Sequence, residues 1–211
     1  MRAQPRDIYA EPDADPDTLR HLGPLRALAG IFEGTKSLDV NPGPDGTRRQ
    51  AFVERIELQP IDPQTNGPQL FYGLCYLTRI VKPGEVETYH HQTGHWLWEP
   101  TTGTVIQTIS IPRGLTALAL GKTTADATRF ALSAVRGSTV NGICANPFLD
   151  EAFRTESLKI AITVNPDGSW AYEEDSVLRV EGLDEPFHHT DANLLRKVAE
   201  PTPNPLMRKG T

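Results

Sequence analysis

Two cysteines in 211 residues, Cys75 and Cys144, are too few for a disulfide framework, and no Cys-x-x-Cys or other thiolate metal spacing is present. Cys75 lies in an apolar run and reads as a small buried hydrophobe. Long apolar runs are missing as well. None approaches the roughly 18 residues that a membrane helix needs, and Met1–Asp7 lacks the apolar core of a signal peptide. With a mean hydropathy of -0.39, the chain reads as soluble and cytoplasmic, with no membrane partner expected. Concentrated positive charge is also scarce. The formal net charge is -6, and basic residues are scattered in short pairs such as Arg48-Arg49 and Arg196-Lys197. That balance argues against nucleic acid as a partner. No Gly-x-Ser-x-Gly stands in the chain, so a serine hydrolase has no support.

What the chain does have is alternation. Ten segments of roughly period-2 hydrophobicity follow one another: 31–40, 50–58, 70–81, 87–98, 104–111, 115–121, 129–135, 158–164, 170–180 and 187–198. Turn residues such as Asn41-Pro42-Gly43-Pro44-Asp45-Gly46 and Asn165-Pro166-Asp167-Gly168 separate them, and the connections are short enough for hairpins. The pattern predicts an all-β protein, an antiparallel up-and-down barrel of about ten strands. Both faces of 70–81 are apolar, which predicts a strand covered on each side.

Helix signals are confined to the start. Asp17 can cap a short helix at Thr18–Leu22, and Leu25, Leu28 and Ala29 can close one end of a barrel. Residues 1–16, with Pro5, Pro12 and Pro16, read as a flexible arm, and 17–199 as one barrel domain. The stretch 137–156 breaks the rhythm as an inserted loop, and the proline-rich tail 200–211 should trail over the surface.

Five of the six histidines fall in two segments, Tyr89-His90-His91-Gln92-Thr93-Gly94-His95-Trp96 and Phe187-His188-His189-Thr190-Asp191. Strand parity makes one of His188 and His189 face the interior, and it puts His91 and His95 on the face opposite His90. Imidazoles from opposite walls of a barrel suit a haem iron, and three would suit Zn²⁺. Asp191 shares a face with His189 and could orient it. Glu173-Glu174-Asp175 reads as a solvated strand end.

Three sets of residues also carry a resemblance: Leu25–Gly34 at the start, His90–Trp96 with Pro112-Arg113-Gly114 in the middle, and Pro186-Phe187-His188-His189 with Ala192 and Leu194 at the end. On these the chain resembles the nitrobindin-like, THAP4-like haem-binding β-barrels, which are fatty-acid-binding-protein-like and lipocalin-like in shape. The resemblance implies ferric haem b at the open end, held by an axial histidine on the last strand. It implies nitric oxide binding and, for an enzyme, peroxynitrite isomerisation. The matching axial position is His189, with His188 as the alternative metal ligand. His90, His91, His95, Phe32 and Thr35 fall on the distal or cavity side, and Gly30 and Gly34 are what stands of the family's glycine motif.

Departures from the family pattern are Phe32 in place of Trp, Lys36 in place of the last Gly, and Gln92 in place of an acid. The rival expectation is a lipocalin-like carrier of a fatty acid or similar small molecule without haem. A silent interaction barrel is the third class, and a homodimer is the oligomer expected.

Overall fold

The computed structural model describes residues 7–35 and 37–208. Lys36 and the two chain ends therefore lie outside the described residues. A helical turn, α1 (Thr18–His21), is capped by Asp17, whose side chain accepts from the Arg20 amide at 3.3 Å. A six-residue 3₁₀ segment, Gly23–Leu28, follows. Leu22, Leu25 and Leu28 on these turns are fully buried and seal one end of the structure, as their spacing predicts.

Strands follow in chain order: β1 (Gly30–Gly34), β2 (Leu38–Gly43), β3 (Gly46–Gln50), β4 (Val53–Pro60), β5 (Gln64–Asn66), β6 (Gln69–Val81), β7 (Thr88–Glu99), β8 (Thr104–Ile111), β9 (Leu115–Lys122), β10 (Arg129–Val135) and β11 (Ile143–Ala145). Helix α2 (Pro147–Ala152) leads into β12 (Phe153–Val164), β13 (Trp170–Val180) and β14 (Phe187–Ala199), and α3 (Pro205–Arg208) ends the chain. Ten of these close a ring in the order β1-β4-β6-β7-β8-β9-β10-β12-β13-β14, and β14 returns to pair β1. Every pairing is antiparallel. The fold is thus a ten-stranded antiparallel barrel with its short helix at the N-terminal side. Among the described residues no helix is long and apolar enough to cross a membrane.

Alternation fills the interior. Ile56 and Leu58 on β4, Leu74 and Tyr76 on β6, Trp96 and Trp98 on β7, and Leu132 and Ala134 on β10 are all buried. Tight edge-to-face packing of Phe32 on Trp170, with ring centroids 5.8 Å apart, and of Trp96 on Phe130, at 6.4 Å, makes the sealed half of the barrel solid.

Several expectations change in the structure. The segment 31–40 is two strands, because pairing stops at Gly34 and resumes at Leu38. The interruption changes parity. Phe32 and Asp39 are buried although seven residues apart, and Leu38, which an unbroken strand would share with Phe32, is 42% exposed. The outer face of β6 is covered only in part: Gly73 is buried and Phe71 and Leu77 are half-buried, but Cys75 and Arg79 are exposed, so Cys75 is not a buried hydrophobe. The stretch 137–156 is ordered as β11, which pairs β9, and α2, which is capped by Asn146. The described part of the tail is pinned rather than trailing. Asn204 is fully buried and donates to the Pro16 carbonyl at 2.9 Å and to Asp62 Oδ1 at 2.7 Å.

Gly94 lies where β7 runs over the Thr108 carbonyl, and a Cβ there would enter that oxygen's van der Waals shell. The neighbour is backbone and cannot swing aside. Gly94→Ala is expected to destabilise the barrel by roughly 1–3 kcal/mol, read as a lowered urea midpoint with an unchanged m-value.

Candidate functional site

The half of the barrel away from the leucine seal holds a cavity of about 540 Å³. Its mouth is formed where β14 begins and where β8 and β9 meet, and α2 with the start of β12 overhangs it. Ile111, Leu115, Phe148, Leu149 and Phe153 give the opening an apolar frame, with Arg113 at its rim. Phe148 and Phe153 stand 6.2 Å apart, ring to ring, and are 65% and 38% exposed.

Strand β14 brings His189 into the cavity and turns His188 outward. His188 pairs on the surface with Asp175, Nδ1 to Oδ2 at 2.9 Å. His189 Nε2 lies 3.1 Å from Asp39 Oδ1 and 3.4 Å from Asp191 Oδ2. Asp39 is held in turn by Asn41, whose Nδ2 donates to its Oδ2 at 2.5 Å. Ligand atoms of Asp39, His189 and Asp191 all lie within 4.8 Å of one another, a grouping that could hold a metal ion. Burial by itself would lower the pKa of His189. The hydrogen bond with Asp39 and the charges of Asp191 and Glu174 outweigh it and leave the imidazole above its ordinary value.

His90 lies on the cavity wall formed by β7. Burial, helped by the positive charge of Arg113 and only partly opposed by a hydrogen bond to Gln92, pulls its pKa down to about 4. The two cavity histidines are therefore driven apart: His189 favours its charged form and His90 its neutral one. His91 and His95 are exposed on the outer face of β7 and do not line the cavity. Nor does Phe32 on β1 or Thr35 just after it line the cavity. Phe32 packs in the sealed half with Lys197 5.6 Å above its ring, and Thr35 is exposed. Gly30 and Gly34 are both buried, and Gly34 leaves room for the Asn193 side chain.

Three acidic groups of the cavity wall carry more of its character than the histidine pattern suggests. Glu54, 3% exposed, accepts from Tyr172 Oη at 2.9 Å and from Asn193 Nδ2 at 3.0 Å. Burial pushes it up to about 7 despite those bonds. Glu174 is pushed up to about 8 by burial and by the charge of Asp191, and Asp191 to about 6 by burial. Glu174 therefore does not belong to a solvated strand end. Its parity with Trp170, Tyr172 and Leu178 turns it inward while Glu173 stays exposed. That parity was readable, as was that of Glu54 with Phe52 and Ile56. Asp39 carried no such signal, because the break after Gly34 decides its face.

A family model described as a THAP4-like, heme-binding beta-barrel domain matches residues 21–197. The crystal structure of Rv2717c from M. tuberculosis is similar to this chain with a TM-score of 0.59. That similarity covers 88% of this chain and 99% of that one at 20% sequence identity, a likeness of fold. A search of curated proteins finds no match.

Buried carboxyls with raised pKa values make stability fall as pH rises. Between the ordinary 4.5 and the value of about 7 that Glu54 takes in the fold, the folded chain binds more protons than the unfolded one. Glu54→Gln is thus expected to be more stable than the parent above pH 7, by roughly 1–3 kcal/mol, and near-equal to it at pH 4.5. Urea unfolding at the two pH values checks the difference.

Proposed function

The chain belongs to the THAP4-like, haem-binding β-barrel family, and from that premise we propose that it holds ferric haem b at the barrel mouth on Nε2 of His189. The observation that carries the reading is the parity of β14. Of the adjacent histidines, His189 lines the cavity and His188 faces solvent.

The residues at the mouth suit the group. An imidazole nitrogen is the ordinary axial donor of a haem iron. Ile111, Leu115, Phe148 and Phe153 offer apolar surface to a macrocycle, Arg113 offers a cation to its propionates, and the cavity volume falls in the range of small-molecule sites, ~300–1,000 Å³. When bound, the haem supplies a ferric position at which nitric oxide or peroxynitrite coordinates. The protein's part is to present His189, to shield the site with the α2 overhang, and to keep a neutral His90 on the β7 wall as a hydrogen-bonding group. Turnover in this reading is isomerisation of peroxynitrite to nitrate.

Nε2 of His189 cannot serve iron and Asp39 together, so ligation displaces the contact to Asp39. That contact also favours the second reading, a carrier of a small hydrophobic molecule in which His189 needs no iron because a carboxylate already satisfies it.

Titration of the purified protein with ferric haem, followed by nitric oxide, separates the two. We expect a saturable one-to-one Soret shift that responds to nitric oxide, weakened at least tenfold in His189→Ala and unchanged in His188→Ala. Equal behaviour of both variants overturns the axial assignment. Absence of any saturable shift leaves the carrier reading.

A further inference from the structure

The barrel is closed differently at its mouth and at its sealed end. Strand β14 meets β1 only through Arg196, Lys197 and Ala199. Nearer the mouth its partner is β2, through Thr190, Asp191 and Ala192, and β2 pairs in turn with β3. Among the described residues β3 pairs with nothing else, so the sheet ends there in a free edge. The wall beside His189 is thus a two-stranded hairpin, held to β14 by three residue pairs.

The two sides of the mouth are secured unequally. Around α2, Asn146 Nδ2 donates to the Arg113 carbonyl at 2.5 Å, Arg136 pairs with Asp150, and the Glu181 amide donates to the Ala152 carbonyl at 3.0 Å. These ties run to three separate loops. The hairpin has only its short ladder with β14 and, toward the lumen, the contact of Asp39 with His189. Its two legs are joined at the base, where Ser37 Oγ accepts from the Phe52 amide at 2.8 Å and donates to the Phe52 carbonyl, and the Phe52 side chain is buried. That joint lets β2 and β3 move as one piece.

Asp39 must leave His189 before Nε2 can bind anything else. Rotation of its side chain alone would break the bond from Asn41 and leave the carboxyl in the wall it shares with Asp191, its partner across the ladder. A swing of the hairpin carries Asp39 and Asn41 off together, because both lie on β2. Strand β3 offers a second amide. Gln50 stands directly opposite Asp39, and its Nε2 is buried with no acceptor among the described residues. A buried N–H in that state weighs against the closed position. Opposite side chains of an antiparallel pair are within reach of one another, so on an open hairpin this amide can turn to Asp39 or to water.

We propose that the β2–β3 hairpin is the gate of the cavity. Closed, it rests Asp39 on His189. Open, it frees Nε2, and Asn41 and Gln50 act as positioning residues that keep the carboxylate on the hairpin itself. The proposal rests on the haem reading for its ligand and adds the movement that admits that ligand.

Locking the hairpin to β14 tests it. Val40 and Thr190 are opposite each other on the two strands, and neither lines the cavity. A disulfide is formed between Val40→Cys and Thr190→Cys in a full chain that also carries Cys75→Ser and Cys144→Ser. The rate of ferric haem uptake is followed by stopped-flow at the Soret band, with the bridge formed and after its reduction and removal of the reductant. Uptake is expected to be at least tenfold slower with the bridge and to recover on reduction. A control bridge between Ala131→Cys and Ala161→Cys, opposite each other on β10 and β12, should leave the rate unchanged. Equal rates with the hairpin bridged and reduced, or equal slowing by both bridges, overturn the gate and leave the haem reading standing. No saturable uptake by the unaltered chain overturns the haem reading and the gate with it. Gln50→Leu is expected to slow uptake at least threefold while the saturated Soret spectrum stays that of the parent. Should the hairpin bridge fail to form, this variant decides, and an unchanged rate overturns the proposal.

Discussion

The return of β14 to β1 is the contact on which everything else in this barrel depends. Once that pair forms, no strand of the ring has a free edge, and each residue along a strand must face either the lumen or the outside. The leucine turns then close one end and the aromatic packing around Trp170 and Trp96 fills it. Cavity is left only toward the mouth. Site and core are therefore two stretches of the same strands: on β14, Leu195 is core, Asn193 lies between the two, and Asp191 and His189 line the cavity.

Going up each strand, the inward residues change from apolar to ionisable, and the energetics change with them. Near the seal, burial is of mainly apolar side chains and is favourable, the indole N–H groups of Trp96 and Trp170 without acceptors being the exception. Near the mouth, burial works against charge, and the outcome depends on partners: Asp39 has His189 and Asn41, and Glu54 has Tyr172 and Asn193, yet Glu54 is still displaced to about 7. The lumen is thus a largely apolar cavity into which a few ionisable groups project.

Alternation made most of the fold legible. Each of the ten segments contains one strand of the ring, although 31–40 also runs on into β2, and the separation of His90 from His91 and His95 follows from counting residues. So does the inward turn of Glu54 and Glu174, whose parity with apolar neighbours outweighs the outward preference of a charged residue. Three features could not be counted. Asp39 faces in because pairing lapses between Gly34 and Leu38, and no residue type in that gap announces it. The order of 137–156 comes from tertiary pairing of Ile143–Ala145 with β9 and from the Asn146 cap, both set by distant chain. Asn204 is buried by the company of Asp62 and Pro16, which the proline-rich sequence around it hides.

The gap after Gly34 also has an evolutionary side. A substitution changes one side chain, whereas insertion or deletion of a single residue between Gly34 and Leu38 would reverse the facing of all of β2. Asp39 and Asn41 would leave the lumen, Leu38 and Val40 would enter it, and His189 would lose its contact with Asp39 while keeping Asp191. Loop length at that point thus sets how acidic one wall of the pocket is, and relatives of this chain that differ there by one residue should differ in the polarity of that wall.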